Sequence, residues 1–455
     1  MKHLYSIIAV LTIALSFTSC GEDRTYQYEE KTQHNQWMLD LMSDKYLWAD
    51  SLASYEPAWK DFFAAPADFM AKLAGRSKQN DKWSYVLIDT LNTDIHQRGY
   101  YNHYDSYGMD FVLVTDPTGR TTRQYARIIT VYDGSPAHEA GLRRGDYIYS
   151  YNSYKLSSNN IARLQKGPAR DLEICHLSIN EETDEYYWEE TLKLPLPASR
   201  YVEDKAFLIY NNPNYPICLP GTDAEVGYLK CNRLVEAPYE KGAGKYKGTE
   251  YIEQLDSVMH TLMQKNIKEL ILDLSLCNDG NLTMAQRLAS YIVAPEYRNT
   301  PFVKTFWNER YKSKNVSLLY NSSKGNLGLS RVYIITSKYT QGAAEWLIHS
   351  LQTTMGEDNV ILIGEPTAGQ NVMTEEIGYD YHVHACPAVA YVADANGDYN
   401  YGSLSPIGDY IINELDFFTL GQYGSENNIF VQIAYYDMLF GRQNVTEEDE
   451  NNKEN

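Results

Sequence analysis

Hydrophobic positions change their period along the chain, and these changes predict three kinds of local structure. Over 35–48 the apolar residues recur at helical spacing, and a second helical stretch lies near 68–73. Between 111 and 150, short runs rich in Val, Ile and Tyr are typical of strands. Farther along, apolar runs such as 270–274 alternate with helical patterns such as 251–264. Alternating strands and helices predict a mostly parallel sheet with helices on its faces.

The pattern therefore predicts a multidomain α/β protein with a small N-terminal helical domain, a β-rich domain and an α/β core. The predicted parts, in order, are a signal peptide at 1–20, a polar tether at 21–34, the helical domain at 35–98, the β-rich domain at 99–202, the core at 203–440 and an acidic tail at 441–455. The tail is rich in Glu and Asn, and this composition predicts disorder.

The N-terminal residues resemble a targeting segment. Lys2 precedes an apolar stretch from Ile7 to Phe17, which is the order found in secretory signal peptides. Thr18 and Ser19 then lead into Cys20, which fits a lipoprotein signal with Cys20 as the lipidated first residue. A plain signal peptide cleaved nearby is the alternative. We expect an exported protein with a lipid anchor in the cell envelope, at the outer membrane of a Gram-negative bacterium, on its periplasmic or its surface face.

Composition narrows the possible partners. The chain has 60 Asp and Glu against 40 Lys and Arg, so its formal charge is −20. A surface this acidic does not neutralise phosphates, so we expect no nucleic-acid partner. We predict no cofactor, and the five cysteines other than Cys20 form no C-x-x-C pair. The 40 tyrosines fit strands and also wet binding surfaces.

Two segments of the β-rich region resemble a PDZ domain. The run from Ser135 to Asp146 matches the pattern SPA-x-x-AGL-x-x-GD of that family, with Ser135 as a helix N-cap. Gly108 to Phe111 occupies the place of the G-L-G-F loop, whose backbone N–H groups hold a peptide carboxylate in PDZ domains. The resemblance implies a polypeptide ligand or protein partner, contacted by Met109, Asp110 and Phe111. Asp110 puts a negative charge where glycine is common.

Four segments extend the resemblance to the tail-specific, or C-terminal processing, serine proteases. They are Asp81–Val86, Leu270–Leu274, Thr340–Glu345 and Ile363–Val372, which resemble the family patterns DK-[FW]-SY, LVLDL, T-A-S-A-S-E and GEPT-x-GK-x-V. The family cleaves peptides with a Ser–Lys dyad, in which the lysine accepts the proton of the serine. The resemblance implies the same multidomain fold.

The chain departs from the family at the residues that carry the chemistry. Gly342 stands at the position of the nucleophilic serine, and Gln370 stands at the position of the lysine. Thr374 replaces the glutamine that orients the lysine. The glycine run of the oxyanion region becomes Asn278, Asp279 and Gly280 after Cys277.

These losses favour a non-catalytic, polypeptide-binding member of the family, and we expect no peptidase activity. An active serine peptidase with relocated catalytic residues is one alternative, although we interpret the nearby hydroxyls of Ser337 and Thr340 as turn and capping groups. A nutrient-binding surface lipoprotein is another, and would need a groove lined by Trp and Tyr. We predict no metal site, because His382 and His384 lack a clear third ligand.

Overall fold

The structure is a computed structural model that describes residues 25–79, 81–88, 105–180, 182–183, 185–202, 205–208, 217–218, 225–240, 245–246, 248–321, 325–380, 382–417 and 420–441. The predicted signal peptide, Cys20, the end of the predicted helical domain after Ile88 and the tail beyond Gly441 lie outside these ranges. Within the ranges, no helix combines the length and the apolar character needed to cross a bilayer.

Helices lie close to the predicted positions near 68–73 and at 251–264, and one helix overlaps the prediction at 35–48. The α-helices are α1 (Thr25–Lys45), α2 (Pro66–Ala74), α3 (Pro136–Glu139), α4 (Glu250–Gln264), α5 (Leu282–Ile292), α6 (Ala343–Met355) and α7 (Ile429–Phe440). Short 3-10 helices span Ala49–Leu52, Trp59–Phe63, Ile161–Leu164, Pro295–Tyr297, Glu309–Lys314, Glu357–Asn359, Gly408–Tyr410 and Glu414–Asp416.

The strands outnumber the helices in the described ranges. They are β1 (Tyr85–Ile88), β2 (Met109–Thr115), β3 (Gln124–Val131), β4 (Tyr147–Tyr151), β5 (Tyr154–Lys155), β6 (Arg170–Cys175), β7 (Leu177–Asn180), β8 (Glu185–Trp188), β9 (Leu192–Leu196), β10 (Phe207–Leu208), β11 (Ile217–Cys218), β12 (Glu225–Cys231), β13 (Tyr239–Glu240), β14 (Lys245–Tyr246), β15 (Glu269–Asp273), β16 (Pro301–Trp307), β17 (Ser317–Leu319), β18 (Val332–Thr336), β19 (Val360–Gly364), β20 (Val372–Thr374), β21 (Ile377–Gly378), β22 (Val383–Cys386) and β23 (Ala388–Ala393).

The chain folds into two compact units. Of the described residues, the first unit combines 25–79 and 81–88 with 307–313 and with 374–390 apart from 381, and the second contains the remaining described segments. The first unit is therefore not purely helical, because β1 pairs with β22 and β22 pairs with β21 in a small antiparallel sheet. Sequence patterns could not show the pairing of β1 with β22, since these two strands lie about 300 residues apart in the chain.

Helix α1 begins ten residues earlier than the predicted start at 35. Its first turns, from Thr25, are polar, so they carry no apolar stripe, although Glu, Gln and Lys are good helix formers. Asn35, predicted at the edge of a tether, is buried and donates from Nδ2 to the carbonyls of Phe62 at 2.9 Å and Ala64 at 2.8 Å. The segment from Thr25 onward is thus helix, which corrects the prediction of a tether through residue 34.

In the second unit, the predicted β-rich region forms an antiparallel sheet in the order β2-β3-β4-β6-β9. Helix α3 begins as predicted, because Ser135 Oγ accepts a hydrogen bond from His138 N at 3.1 Å. Ile128 and Ile148 pack in the core of this sheet. Ile129, the next residue along β3, is the extra residue of a β-bulge opposite Asp110 and Phe111, and it is buried outside this core.

The α/β core contains the predicted parallel sheet, in the order β10-β12-β15-β18-β19, with β12, β15, β18 and β19 parallel. Successive strand residues face opposite sides. Ile334 packs with helices α4, α5 and α6, whereas Ile335 packs with helix α7. Both faces are buried, so these strands appear in the sequence as continuous apolar runs.

Two buried cations link the antiparallel sheet to the parallel sheet. Lys230 Nζ lies 4.2 Å from the ring centroid of Tyr423, and Arg144 Cζ lies 4.1 Å from the same centroid. Lys230, which no solvent reaches, pairs with Asp273 at 2.9 Å. Arg144 pairs with Glu414 and donates to the carbonyl of Ile129 at 2.7 Å. Burial alone would lower the pKa of Arg144, but Tyr423 and Glu414 outweigh burial and raise it.

Candidate functional site

Gly342 lies at the start of helix α6 in a conformation that side chains rarely adopt, with φ 59° and ψ −116°. A Cβ atom built on Gly342 would lie 3.3 Å from Oε1 of Gln370. The structure therefore brings together the two residues, Gly342 and Gln370, that the sequence comparison predicts at the nucleophile and base positions. A sharp turn between a strand and a helix is also the geometry that exposes a nucleophile in other hydrolases.

The amide of Gln370 is hydrogen-bonded at both ends. Its Oε1 accepts from Gln341 Nε2 at 2.7 Å, and its Nε2 donates to the carbonyl of Val372 at 2.9 Å. The side chain is largely buried, with 8% of its surface exposed. A neutral amide has no lone pair basic enough to take a proton from a hydroxyl at neutral pH. Gln370 can therefore position a neighbour but cannot serve as a general base.

The side chain of Glu345 is hydrogen-bonded to the backbone of both Gly342 and Gln370. Its buried carboxylate accepts hydrogen bonds from the backbone N–H of Gly342 at 3.0 Å, of Gly369 at 2.5 Å and of Gln370 at 2.7 Å, and from Thr367 Oγ1 at 2.5 Å. Burial raises the pKa of Glu345, and these hydrogen bonds offset only part of that effect. One carboxylate thus holds the start of α6 and the 367–370 segment next to each other.

The predicted oxyanion region packs against the start of helix α6. A Cβ atom on Gly280 would lie 2.6 Å from the Cβ of Ala343 and 2.7 Å from the Cβ of Leu234, so only glycine fits. The carbonyl of Asp279 accepts from Leu234 N at 2.9 Å. Asn278 lies in the same loop. The structure therefore places this loop, whose sequence lacks the glycine run of the family pattern, against the first turn of α6.

The remaining predicted site residues lie elsewhere. Thr374 ends β20 and belongs to the first compact unit. Met109 and Phe111 lie on β2, with Met109 buried in the core of the antiparallel sheet and Phe111 packed against it. Asp110 accepts a hydrogen bond from the hydroxyl of Tyr132 at 2.9 Å. Cys20 lies outside the described residues.

One hydroxyl–amine contact escaped the sequence analysis. Ser275 Oγ lies 3.3 Å from Lys230 Nζ, and it donates to Asp273 Oδ1 at 2.6 Å. Burial would raise the pKa of Asp273, but Lys230, Ser275 and Tyr228 together lower it below its ordinary value. The sequence did contain one signal of this contact, which is Lys230 inside the apolar strand β12. Lysine is rarely buried without a partner, so a lysine in such a strand indicates a buried polar group nearby.

One of the two histidines considered for a metal site, His384, contacts a glutamate. His384 Nδ1 lies 2.6 Å from Glu376 Oε1, so the two side chains form a hydrogen-bonded pair. Across the described ranges, no three His, Cys, Asp or Glu side chains are placed to share a metal ion. Cys175, Cys231, Cys277 and Cys386 are free, buried thiols, as their irregular spacing suggests.

Comparison with known proteins identifies the fold and the family. The profile of peptidase family S41 matches residues 225–399, and the profile of the peptidase S41 N-terminal domain matches residues 33–85. A crystal structure of a Bacteroides fragilis protein assigned to the S41 proteases is similar with a TM-score of 0.75 at 25% identity, covering 90% of this chain and 98% of that chain. No curated protein matches the chain.

A weaker likeness is to the photosystem II D1 C-terminal processing protease, with a TM-score of 0.43 at 15% identity over 84% of this chain and 93% of that chain. This likeness is too distant to support a further argument. The two profile matches and the Bacteroides fragilis structure show that the chain belongs to peptidase family S41, the C-terminal processing peptidases.

Replacing Glu345 with glutamine tests the role of its carboxylate. Glutamine offers one acceptor oxygen to four donors, so at least two buried donors lose their partner, and we expect a loss of about 2–4 kcal/mol in the free energy of unfolding. Urea denaturation of the variant measures this loss. Glu357→Gln, at an exposed position, is the control and should change stability by less than about 0.5 kcal/mol.

The difference in the free energy of unfolding between wild type and Glu345→Gln should depend on pH. The pKa of Glu345 in the folded chain lies above its ordinary 4.5, so the folded state binds the proton more tightly than the unfolded state. The stability that this group contributes is present in full below that ordinary pKa and is lost as pH rises through the folded pKa. The difference between wild type and Glu345→Gln should therefore shrink as pH rises, and a growing difference would contradict the raised pKa.

Proposed function

We propose that this protein is a non-catalytic member of the S41 family that binds polypeptides at the cell envelope. The supporting observation is the contact between the positions of Gly342 and Gln370, because neither residue supplies the group that the dyad needs. Removing a serine nucleophile or its base costs about 10⁶-fold in rate in a comparable serine protease, near 8 kcal/mol of transition-state stabilisation. The surrounding hydrogen bonds to Glu345 keep the cleft in shape without that chemistry.

Relocated catalysis has one specific candidate, which is Ser275 beside Lys230. Its geometry argues against it, because Lys230 is held by Asp273 in a buried ion pair and a lysine must be neutral to act as a base. Ser275 directs its proton to Asp273, whose lowered pKa makes it a weak acceptor. We therefore interpret this cluster as structural.

Restoring the dyad tests the proposal directly. We expect no cleavage of an unfolded protein substrate by the wild type, and none by Gly342→Ser alone, because the base is still missing. Gly342→Ser combined with Gln370→Lys should restore a trace of cleavage, limited by Thr374 and Asp279. Gly134→Ser, at an open glycine of similar φ, controls for the backbone strain that serine adds.

The contrary outcome is equally clear. Robust cleavage by the wild type that persists through repurification would contradict a non-catalytic protein. If Ser275→Ala then abolished that cleavage, the relocated site would be identified. The readout is release of labelled peptide from casein over several hours.

The groove beside β2 is the proposed polypeptide site, and its loop is altered for carboxylate binding. Gly108 N donates to Ser106 Oγ at 2.9 Å, so one N–H of the loop is already satisfied within the protein. Asp110 adds a negative charge next to the place of a terminal carboxylate, and like charges at close range repel. Polypeptide strands can still add to the edge of a sheet through their main chain.

Titration of one hydrophobic peptide in two forms measures this change. We expect the C-terminally amidated form to bind at least as well as the free acid, and Asp110→Asn to shift the preference toward the free acid. A clear preference of the wild type for the free acid would contradict the role of Asp110. Failure of both forms to bind would remove this groove as the polypeptide site.

The proposed anchor is a lipid on Cys20. The apolar stretch that ends at Thr18, Ser19 and Cys20 motivates it. Mass spectrometry of the native N-terminal peptide should show a chain that begins at Cys20 and carries acyl groups. An unmodified cysteine, or cleavage at another residue, would contradict the lipid anchor.

A further inference from the structure

Three aromatic side chains of the first compact unit are exposed to solvent and contact one another. The exposed fraction is 47% for Tyr28 on α1, and it is 60% for Trp59 and 39% for Phe63 in the 3-10 helix Trp59–Phe63. The ring of Phe63 lies edge-on to both others, with its centroid 5.9 Å from that of Tyr28 and 5.5 Å from that of Trp59. We call these three side chains the aromatic patch. Single exposed apolar side chains are common on proteins, whereas a contiguous group marks a contact surface.

The fold holds the aromatic patch in this position. Asn35 Nδ2 donates to the carbonyls of Phe62 at 2.9 Å and Ala64 at 2.8 Å, so the segment that carries Phe63 is tied to helix α1. The Phe62 ring turns toward the buried Phe69, with 5.5 Å between the ring centroids. Phe63, the next residue, is left at the surface. The patch exists before anything binds to it, so docking costs little conformational entropy.

The aromatic patch lies close in the chain to the proposed lipid on Cys20. Tyr28 is in the first turn of α1, which begins at Thr25. Five residues separate Thr25 from Cys20, and they span at most about 18 Å when fully extended. With the helical rise from Thr25 to Tyr28, a lipid on Cys20 would hold the patch within about 23 Å of its attachment point.

The residue types of the patch and its surroundings suit the surface of a lipid bilayer. Trp and Tyr are enriched where hydrocarbon meets water, because each combines an apolar ring with a polar group. Among the described side chains, the exposed charged neighbours in the chain include both signs, with Lys60 against Glu29 and Glu56. Asp61 forms an ion pair with Lys72 at 2.7 Å. A rim with no excess of positive charge predicts zwitterionic headgroups, because binding to anionic lipids depends on Lys and Arg.

The patch is small for a stable protein interface. A fully buried aromatic side chain covers about 150–250 Å², so three rings that are about half exposed offer less than roughly 400 Å². Each partner of a stable protein complex buries about 800 Å². A bilayer surface, which needs no matching shape, is therefore the occupant that the area favours over a second copy of the chain.

We propose that the aromatic patch docks on the bilayer that holds the lipid anchor, with its rings among zwitterionic headgroups and the adjoining ends of the acyl chains. This inference rests on the proposed lipid at Cys20, which brings the patch to the membrane. A contact that is weak alone becomes effective when a tether raises the local concentration of its partner. The docked patch fixes which side of the first compact unit faces the membrane.

Fluorescence quenching by brominated lipids tests the docking independently of the natural anchor. The mature chain with Cys20→Ser carries a polyhistidine tag directly before residue 20 and is tethered to phosphatidylcholine vesicles that contain a nickel-chelating lipid. Trp59 is the tryptophan of the patch, so we expect its emission to be lost when the acyl chains are brominated, relative to the same vesicles without bromine. Trp59→Phe should remove this quenching while tethering equally well.

Two double variants show whether the three rings act together. Tyr28→Gln with Phe63→Gln keeps Trp59 and should lower the quenching at least roughly threefold, because one indole by itself holds weakly to the interface. Tyr154→Gln with Tyr187→Gln, at tyrosines that are 60% and 44% exposed in the second unit, is the matched control and should be quenched like the wild type. Circular dichroism checks that each variant is folded.

Four results would overturn the docking. They are no quenching of the tethered wild type, quenching that persists in Trp59→Phe, unchanged quenching of the folded Tyr28 and Phe63 double variant, and dimers of the untethered chain that dissociate in that double variant. The last result would assign the patch to a second copy of the chain. Quenching of the wild type together with an unmodified native Cys20 would support the membrane contact and remove only the proposed anchor.

Discussion

Two buried cations, Lys230 and Arg144, lie against the ring of Tyr423. The packing of the antiparallel sheet on the parallel sheet in the second compact unit depends on them. Lys230 and Arg144 each lie about 4 Å from the ring centroid, one from the parallel sheet and one from the antiparallel sheet. Neither charge could be buried alone, because desolvation of an unpaired ion costs several kcal/mol. Asp273 and Glu414 compensate them. The same ion pairs keep Ser275 next to Lys230 and tie Glu414 to Arg144.

The segment around Gly342 and Gln370 shows how buried hydrogen bonds hold a backbone in shape independently of the side chains at those two positions. Glu345 gathers the backbone N–H groups of Gly342, Gly369 and Gln370, and none of these contacts requires a serine or a lysine side chain. Gly280 packs so closely against the start of α6 that no Cβ atom fits there. Packing and hydrogen bonding therefore fix the backbone around Gly342 and Gln370 whatever side chains these two positions carry.

Local patterns predicted much of the fold of this S41 family member. The strand Glu269–Asp273 and the helix Glu250–Gln264 lie where the apolar run and the helical spacing place them, because both elements bury apolar surface. Ser135 caps its helix as expected, since capping depends on a few adjacent residues. The early start of α1 at Thr25 escaped prediction because polar turns leave no periodic signal, and the partners of Asn35 lie in another segment.

By itself, the sequence determined the fold class, the types of several elements and the identity of the residues at Gly342 and Gln370. These are properties of short segments and of a motif order that can be read along the chain. Only the tertiary structure decided that a Cβ on Gly342 would meet Gln370 and that Lys230 pairs with Asp273. The physical reason is that contacts and ion pairs act over a few ångströms in space, whereas these partners lie 28 and 43 residues apart in the chain.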